Sequence, residues 1–412
     1  MTMERIVIVG AGHAGIQLAD SLCEEGFTGP ITVLGDEPGL PYQRPPLSKD
    51  YLAPGTTPTP LPLRGQTFFS DRDIDYRPGA TVTALDPVTR TLTLGDGQIL
   101  GYTELVLATG ARNRTLDTTC GRPAGVHYLK SLTDAERLHA ELAGARRVVV
   151  VGAGFIGLEF AAAARARGLE VTVLEFAPRV MARALSAPMS AYFEQAHTDA
   201  GIDLKLGEGI ASFEHNGDHV TAAVGTSGTG YPADLVLVGV GVVPNTEIAA
   251  AAGVAVDNGV AVDEYLRTDQ KHIWAIGDCA SFPNAHTGTR TRLESVQNAT
   301  DQAAILAKTL TDTPTGYREL PWFWSIQGKH KLQIAGIAGL PDHTVLRGDP
   351  EQGKFSLFCY QHDVLTAVES VNSPADHLAA RRILAHQLPL TPDQAADPAF
   401  DLKGYSRQSV TA

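Results

Sequence analysis

The sequence predicts an α/β protein made of two Rossmann-like dinucleotide-binding domains followed by a C-terminal α+β domain. Three observations carry that reading. Residues 5–15, "RIVIVGAGHAG", and residues 147–157, "RVVVVGAGFIG", repeat one pattern, a β-branched strand running into G-x-G-x-x-G. Each copy leads into a helical stretch and then a second apolar strand, "PITVLGDE" and "EVTVLEF". After a Pro/Gly/Thr-rich linker, "LTDTPTGYRELPW", the pattern changes to alternating strands such as "KLQIAGIA" and "KFSLFCY" and then a helix around "PADHLAARRILAHQL".

The glycines have separate tasks. Gly10 and Gly152 make the tight strand-to-helix turn, Gly12 and Gly154 let backbone approach a pyrophosphate, and Gly15 and Gly157 let helix and strand pack closely. The pyrophosphate then rests on a helix N-terminus. One such motif is weak evidence, but two copies, each after a strand and before a helix, point to two dinucleotide sites. Glu175 ends the second strand of the later copy, where a carboxylate accepts hydrogen bonds from an adenosine ribose 2′-hydroxyl and repels a 2′-phosphate. NADH is therefore expected over NADPH. In the earlier copy that position is Gly35, and Asp36, one step on, is the ribose candidate. For both acids the alternative is a solvated carboxylate at a strand end.

Composition excludes several classes. The chain has 412 residues, 43% hydrophobic and 19% charged, as in a soluble protein of two or three domains. A net charge of −13 argues against nucleic acid, which needs a concentrated basic surface. "MTMERIVIVGAG" has no leader pattern and no 18-residue apolar run occurs, so no membrane is expected and the location expected is cytoplasmic. Cys23, Cys120, Cys279 and Cys359 lie far apart, without the spacing of a disulfide framework, zinc site or iron–sulfur cluster. His215 and His219 fall in "EHNGDHVTAAV", which reads as a turn between strands, so no metal is expected.

Two further strands, "TELVLATGA" and "TDQKHIWAIGDCA", complete a series that includes "VGAGHAG", "YQRPPLSKDYL", "VVVVGAGFIGLEFAA", "GVGVVPNTEIAAAAG", "RLESVQNATDQA" and "PWFWSIQGKHKLQIAG". In this order they resemble the glutathione-reductase-fold flavoproteins, and among them the NADH-dependent ferredoxin reductases of the putidaredoxin reductase and rhodocoxin reductase type. The resemblance implies a discontinuous FAD-binding domain at 1–112 and 243–318, an NADH-binding domain at 113–242 and a C-terminal domain at 319–412. Its function would be to pass electrons from NADH through FAD to a [2Fe–2S] ferredoxin that feeds a cytochrome P450 or aromatic-ring dioxygenase.

Residue by residue, the resemblance assigns FAD to Gly10, Gly12, His13, Ala14, Gly15 and Asp36 in the first glycine unit, and to Val82, Ala108, Thr109, Gly110 and Lys130 further on. Lys130 stands where an arginine is common. Gly277 and Asp278 would serve the ribityl chain and pyrophosphate, and Glu294, Ser295, Val296 and Trp324 would lie near the flavin. Val296 replaces a tryptophan of some dioxygenase-system reductases, which leans toward the P450 branch. NADH falls to Gly152, Gly154, Phe155, Ile156, Gly157, Glu159, Glu175 and Gly241.

The segment "YQRPPLSKDY" holds no cysteine where disulfide-using enzymes of this fold carry one, so electrons are expected to leave the flavin directly. In the family's pattern Lys49 approaches the isoalloxazine, Glu159 is its ionic partner, and Arg44 with Pro45-Pro46 holds the segment against the cofactor. The plainer alternative is a surface loop in which Ser48 caps a helix start. Arg290, Arg292, Lys329, His330 and Lys331 are candidates for docking an acidic ferredoxin. Ile326 interrupts a "WSDQ" common among relatives, which leaves any role of that aspartate unfilled. Two rival readings remain: a monodehydroascorbate reductase-like or NADH oxidase-like enzyme, and a redox-sensing interaction protein similar to apoptosis-inducing factor.

Overall fold

The computed structural model describes residues 5–55, 58–116 and 123–408. They form two compact units, one drawn from 5–43, 60–112 and 242–321, the other from 44–59, 113–241 and 322–408.

The first unit is built on a five-stranded parallel sheet in the order Ile273–Ala275, Glu104–Leu107, Ile6–Val9, Ile31–Gly35, Ile74–Pro78. Ile6 lies opposite both Ile31 and Glu104, which places the first glycine strand at the centre. Continuous apolar runs such as "IVIV" suit a strand covered on both faces, and Ile6, Val7 and Ile8 are fully buried. The helices His13–Glu24 and Val296–Leu310 pack side by side. Val82–Asp86, Thr91–Leu94 and Ile99–Gly101 form a separate antiparallel meander.

In the second unit a five-stranded parallel sheet runs Asp203–Leu206, Glu170–Glu175, Arg147–Val151, Leu235–Val238, Val126–Tyr128. Ile210–Asn216 and His219–Gly225 form the hairpin expected around "EHNGDHVTAAV". The rings of His215 and His219 bond the carbonyls of Gly217 and Asp234. The C-terminal sheet of this unit is antiparallel, ordered Trp322–Gln327, His330–Gly336, Val364–Val371, Lys354–Gln361, His343–Asp349. Helix Pro374–Ala385 packs on two of its three inner strands, Val364–Val371 and His330–Gly336. Glu369, fully buried on that sheet, accepts from the backbone and hydroxyl of Ser186, the N-cap of helix Ala187–Asp199. Among the described residues no helix is long and apolar enough to cross a membrane.

Candidate active site

In the first unit the glycine loop is shaped by contacts that admit no side chain. A Cβ on Gly10, whose φ is +114°, would lie 2.1 Å from the Ala108 carbonyl oxygen. One on Gly15 would lie 1.9 Å from the oxygen of Gly10. At Gly12 a Cβ would meet nothing within 4 Å, and Gly12 caps helix His13–Glu24 without any side chain bonding its first N–H groups. The loop thus leaves backbone donors facing open space, with the partial positive charge of a twelve-residue helix behind them. Ala14 packs on Gly277: a Cβ there would come within 2.9 Å of the Ala14 methyl. His13 opens the helix and is half-buried.

Asn245 pins the strand end at Ala108, Thr109 and Gly110. Its side chain donates to the Thr109 carbonyl at 2.8 Å, its carbonyl accepts from Thr109 Oγ1 at 2.7 Å, and its N–H donates to Gly110. The Gly277-Asp278 turn is held by Gln302 Oε1, which accepts from Gly277 N at 2.7 Å, and by Arg292, which donates to the Asp278 carbonyl. Sequence reading singled out neither Asn245 nor Gln302. Asn245 follows "VVP" at a strand end and Gln302 sits mid-helix, and neither position looks special until the chain folds back on it. Val82 is half-buried and Asp36 exposed; Ser295 is the N-cap of Val296–Leu310, accepting from Asn298 N, and Glu294 is exposed.

Arg292 is corrected as a docking residue, while Arg290 stays exposed. Arg290 donates to the carbonyls of Val262 and Ser281, and Arg292, 9% exposed, bridges Glu294 and the Asp278 carbonyl. Arg292 braces the turn at Asp278, which a sequence rich in charges near "RLES" does not reveal.

The second unit repeats the cradle. A Cβ on Gly152, φ +104°, would lie 2.5 Å from the Gly239 oxygen, and one on Gly157 would lie 2.1 Å from that of Gly152. Gly154 is open and caps helix Phe155–Ala166 without a side-chain bond. Glu175 stands at its strand end and accepts from Ala153 N at 2.6 Å and Ala177 N at 2.8 Å. It is therefore tied to the glycine loop as well as presented where a ribose would be read. Gly241, φ +98°, accepts from Arg114 N. Ile156 is 44% exposed, while the Phe155 ring packs on Phe323 with centroids 4.6 Å apart.

The segment carrying Lys49 folds as two short 3₁₀ turns, Pro45–Ser48 and Asp50–Leu52. Paired prolines set the first turn by fixing φ. Ser48 does not cap a helix: it is buried, and its hydroxyl donates to Glu159 Oε2 at 2.5 Å. Lys49 Nζ meets the same oxygen at 2.7 Å and also donates to the Pro45 carbonyl at 3.0 Å. On Oε1, Glu159 accepts from Ser325 Oγ at 2.7 Å and from the backbone of Ile326 at 3.4 Å. Glu159 is 3% exposed, and four donors offset the cost of burying its charge. Arg44 donates to the Lys130 carbonyl at 2.8 Å, which ties this segment to the Lys130 backbone.

Trp322, Phe323 and Trp324 line one edge strand, with Trp322 and Trp324 5.5 Å apart and the Arg381 guanidinium 4.3 Å over the Trp322 ring. His330 is corrected as a docking cation. It lies against Tyr192 and Phe193, bonds the Tyr192 hydroxyl, and burial pushes its pKa below the ordinary histidine value. Lys329 and Lys331 remain exposed. Cys23, Cys279 and Cys359 are unpaired, and Cys120 lies outside the described residues. Cys279 is fully buried, donates to the Leu107 and Ile276 carbonyls, and has its thiol pKa raised by burial, which makes it a packing residue.

Comparison with known proteins agrees with this geometry. Residues 4–303 match the pyridine nucleotide-disulphide oxidoreductase family and residues 322–406 the reductase C-terminal family. The chain is 50% identical over 398 residues to rhodocoxin reductase of Rhodococcus erythropolis, covering 97% of this chain and 93% of that protein. The crystal structure of the ferredoxin reductase for the CYP199A2 system of Rhodopseudomonas palustris matches with a TM-score of 0.96 and 48% identity, over 98% of this chain and 100% of that one. The reductase in a covalent putidaredoxin reductase–putidaredoxin complex matches with a TM-score of 0.94 and 38% identity, over 98% of each chain. The chain belongs to the pyridine nucleotide-disulphide oxidoreductase family, among the ferredoxin reductases of the rhodocoxin reductase and putidaredoxin reductase type.

Proposed function

We propose that the protein is an NADH-dependent ferredoxin reductase that carries FAD and reduces a [2Fe–2S] ferredoxin serving a cytochrome P450 system. The observation that carries the reading is the Lys49–Glu159 pair, 2.7 Å apart, on a cysteine-free segment of a chain with two open glycine cradles. Both cradles fit a dinucleotide, because Gly12 and Gly154 leave space at uncapped helix starts. FAD belongs to the cradle of the first unit and NADH to that of the second. FAD held in its cradle would supply the exchange between the two-electron donor NADH and a one-electron carrier.

The chain's own residues supply position and field. Gly10, Gly12, Gly15 and the helix behind them bind one pyrophosphate; Gly152, Gly154 and Gly157 bind the other. Glu175 selects NADH by accepting from the ribose 2′-hydroxyl. Lys49, paired with Glu159 at 2.7 Å, would set a positive charge against the isoalloxazine of bound FAD. No cysteine stands in the 42–51 segment to divert electrons into a disulfide. The domain division at 1–112 with 243–318, 113–242 and 319–412, and the cytoplasmic location, belong to the same proposal.

Relatives named for P450 and dioxygenase systems both match, and Val296 favours the P450 branch. Mixing the FAD-loaded protein with NADH in a stopped-flow instrument, then with [2Fe–2S] ferredoxins and cytochrome c as reporter, tests the function. Fast flavin bleaching and ferredoxin-dependent cytochrome c reduction are expected. Reoxidation by ascorbyl radical or oxygen, without a ferredoxin response, would move the protein to the rival class.

A further inference from the structure

Glu159 uses both carboxylate oxygens, and the two sides have different origins. Oε2 is occupied by Lys49 and Ser48, from the cysteine-free segment. Oε1 is occupied by Ser325, from the first strand of the C-terminal sheet. Behind Ser325 the contacts continue. Gln327 Nε2 donates to Ser325 Oγ at 3.1 Å, and Gln327 Oε1 lies 2.7 Å from His197 Nε2 on helix Ala187–Asp199.

The chemistry fixes a direction. A carboxylate accepts only, so the single Ser325 hydroxyl proton goes to Glu159, and the Ser325 oxygen must itself accept from behind. Gln327 offers an NH₂ there, which turns its carbonyl toward His197, and that ring must then present Nε2–H. Burial pushes the His197 pKa below its ordinary value, partly offset by the Gln327 bond, in keeping with a neutral ring. Ser325, Gln327 and His197 are 0%, 2% and 4% exposed, so no water stands in for a lost partner without cost. Strand alternation turns Ser325 and Gln327 inward and Ile326, 39% exposed, outward. The bond that position 326 makes to Glu159 comes from its backbone, so isoleucine there leaves the relay intact.

We infer that Ser325 and Gln327 are positioning residues of the reductase: a one-way hydrogen-bond relay, His197 to Gln327 to Ser325 to Glu159, by which the C-terminal sheet holds the carboxylate that holds Lys49. The inference rests on the proposed role of Lys49 at the flavin. Ser325, Gln327 and His197 are buried and none belongs to the NADH cradle, so their loss acts on the reduction of the flavin by NADH and not on the affinity for NADH.

The test uses FAD-loaded protein and three variants, Ser325→Ala, Gln327→Glu and Ser325→Thr. Gln327→Glu places an acceptor behind Ser325 and draws its proton away from Glu159. Two readouts are taken, the rate at which an acylating reagent labels Lys49, read by peptide mass spectrometry, and flavin reduction across a range of NADH concentrations. Ser325→Ala and Gln327→Glu should each speed Lys49 labelling and slow flavin reduction at saturating NADH by about tenfold, the scale of one charge-assisted hydrogen bond. The NADH dissociation constant should stay within about twofold of the parent. Ser325→Thr, which keeps the hydroxyl, should restore both readouts. The proposal is overturned if Ser325→Ala and Gln327→Glu fold, bind FAD and leave Lys49 labelling as in the parent, or if a folded Ser325→Thr behaves like Ser325→Ala. Labelling and flavin reduction as expected, with no reduction of [2Fe–2S] ferredoxins by the FAD-loaded parent, would sink the ferredoxin reading and leave the relay standing.

Discussion

Lys49 and Glu159 are 110 residues apart in sequence and 2.7 Å apart in space, and each has the other as the reason its charge is tolerable at 14% and 2% side-chain exposure. Removing one partner leaves a buried charge. Glu159→Ala should therefore lose about 3 kcal/mol in urea unfolding, and the double variant Lys49→Met/Glu159→Ala should recover part of that loss. Lys49→Met alone should slow flavin reduction by NADH about a hundredfold, the scale of removing one preorganised electrostatic group. Equal rates in Lys49→Met and the parent would remove the lysine from the mechanism. Glu175 makes a separate claim. Glu175→Ala should raise KM for NADH about tenfold and narrow the preference over NADPH, since the repelling charge is gone. An unchanged ratio of the two coenzymes' kcat/KM would show that the carboxylate only braces the Ala153 and Ala177 amides.

At the scale of elements, two glycines of one loop should fail in different ways. Gly10 cannot take a side chain without colliding with the Ala108 carbonyl at 2.1 Å, so Gly10→Ala should fail to fold or lose its cooperative melt. Gly12 faces open space, so Gly12→Ala should keep its secondary structure but bind FAD weakly, as read by flavin content after dialysis. Helix Pro374–Ala385 carries a pH dependence. His377 is 1% exposed, neither ring nitrogen has a hydrogen-bond partner among the described residues, and burial, with Arg381 and Lys331 near, lowers its pKa to about 4. A depressed folded pKa leaves its contribution fully present above the unfolded value of about 6.5 and lost as pH falls from there to about 4. The linkage is on the order of 3 kcal/mol. Melts of the parent and of His377→Phe between those pH values should show the variant falling less steeply. Parallel curves would assign acid sensitivity elsewhere.

For the whole molecule, a net charge of −13 opposes an acidic ferredoxin, so docking needs a local cationic face. With Arg292 and His330 bound into the fold, and Arg290 exposed but engaged with two backbone carbonyls, the exposed Lys329 and Lys331 are the candidates to test. Reversing both to Glu should raise KM for ferredoxin severalfold at low salt, with NADH–ferricyanide activity unchanged and the difference shrinking as salt screens it. A KM that does not move would free these lysines of the role. Much of the architecture was legible along the chain, because the information was local: apolar strand, glycine spacing, helix and acidic strand end stand within some thirty residues in both copies, and period-two alternation marked the C-terminal sheet. The Lys49–Glu159 pair was reachable only through family resemblance, since no local pattern connects the two positions. The order of residues alone determined the two cradles and the lack of a cysteine in the 42–51 segment, and resemblance gave each cradle its nucleotide. Tertiary structure alone decided that Ser48 serves Glu159 and not a helix end, that Arg292 is a brace, and that Asn245, Gln302, Ser325 and Gln327 matter at all. The physical reason is that a hydrogen bond is chosen by distance after folding, and polar side chains tens to hundreds of residues apart carry no periodic signal that they will meet.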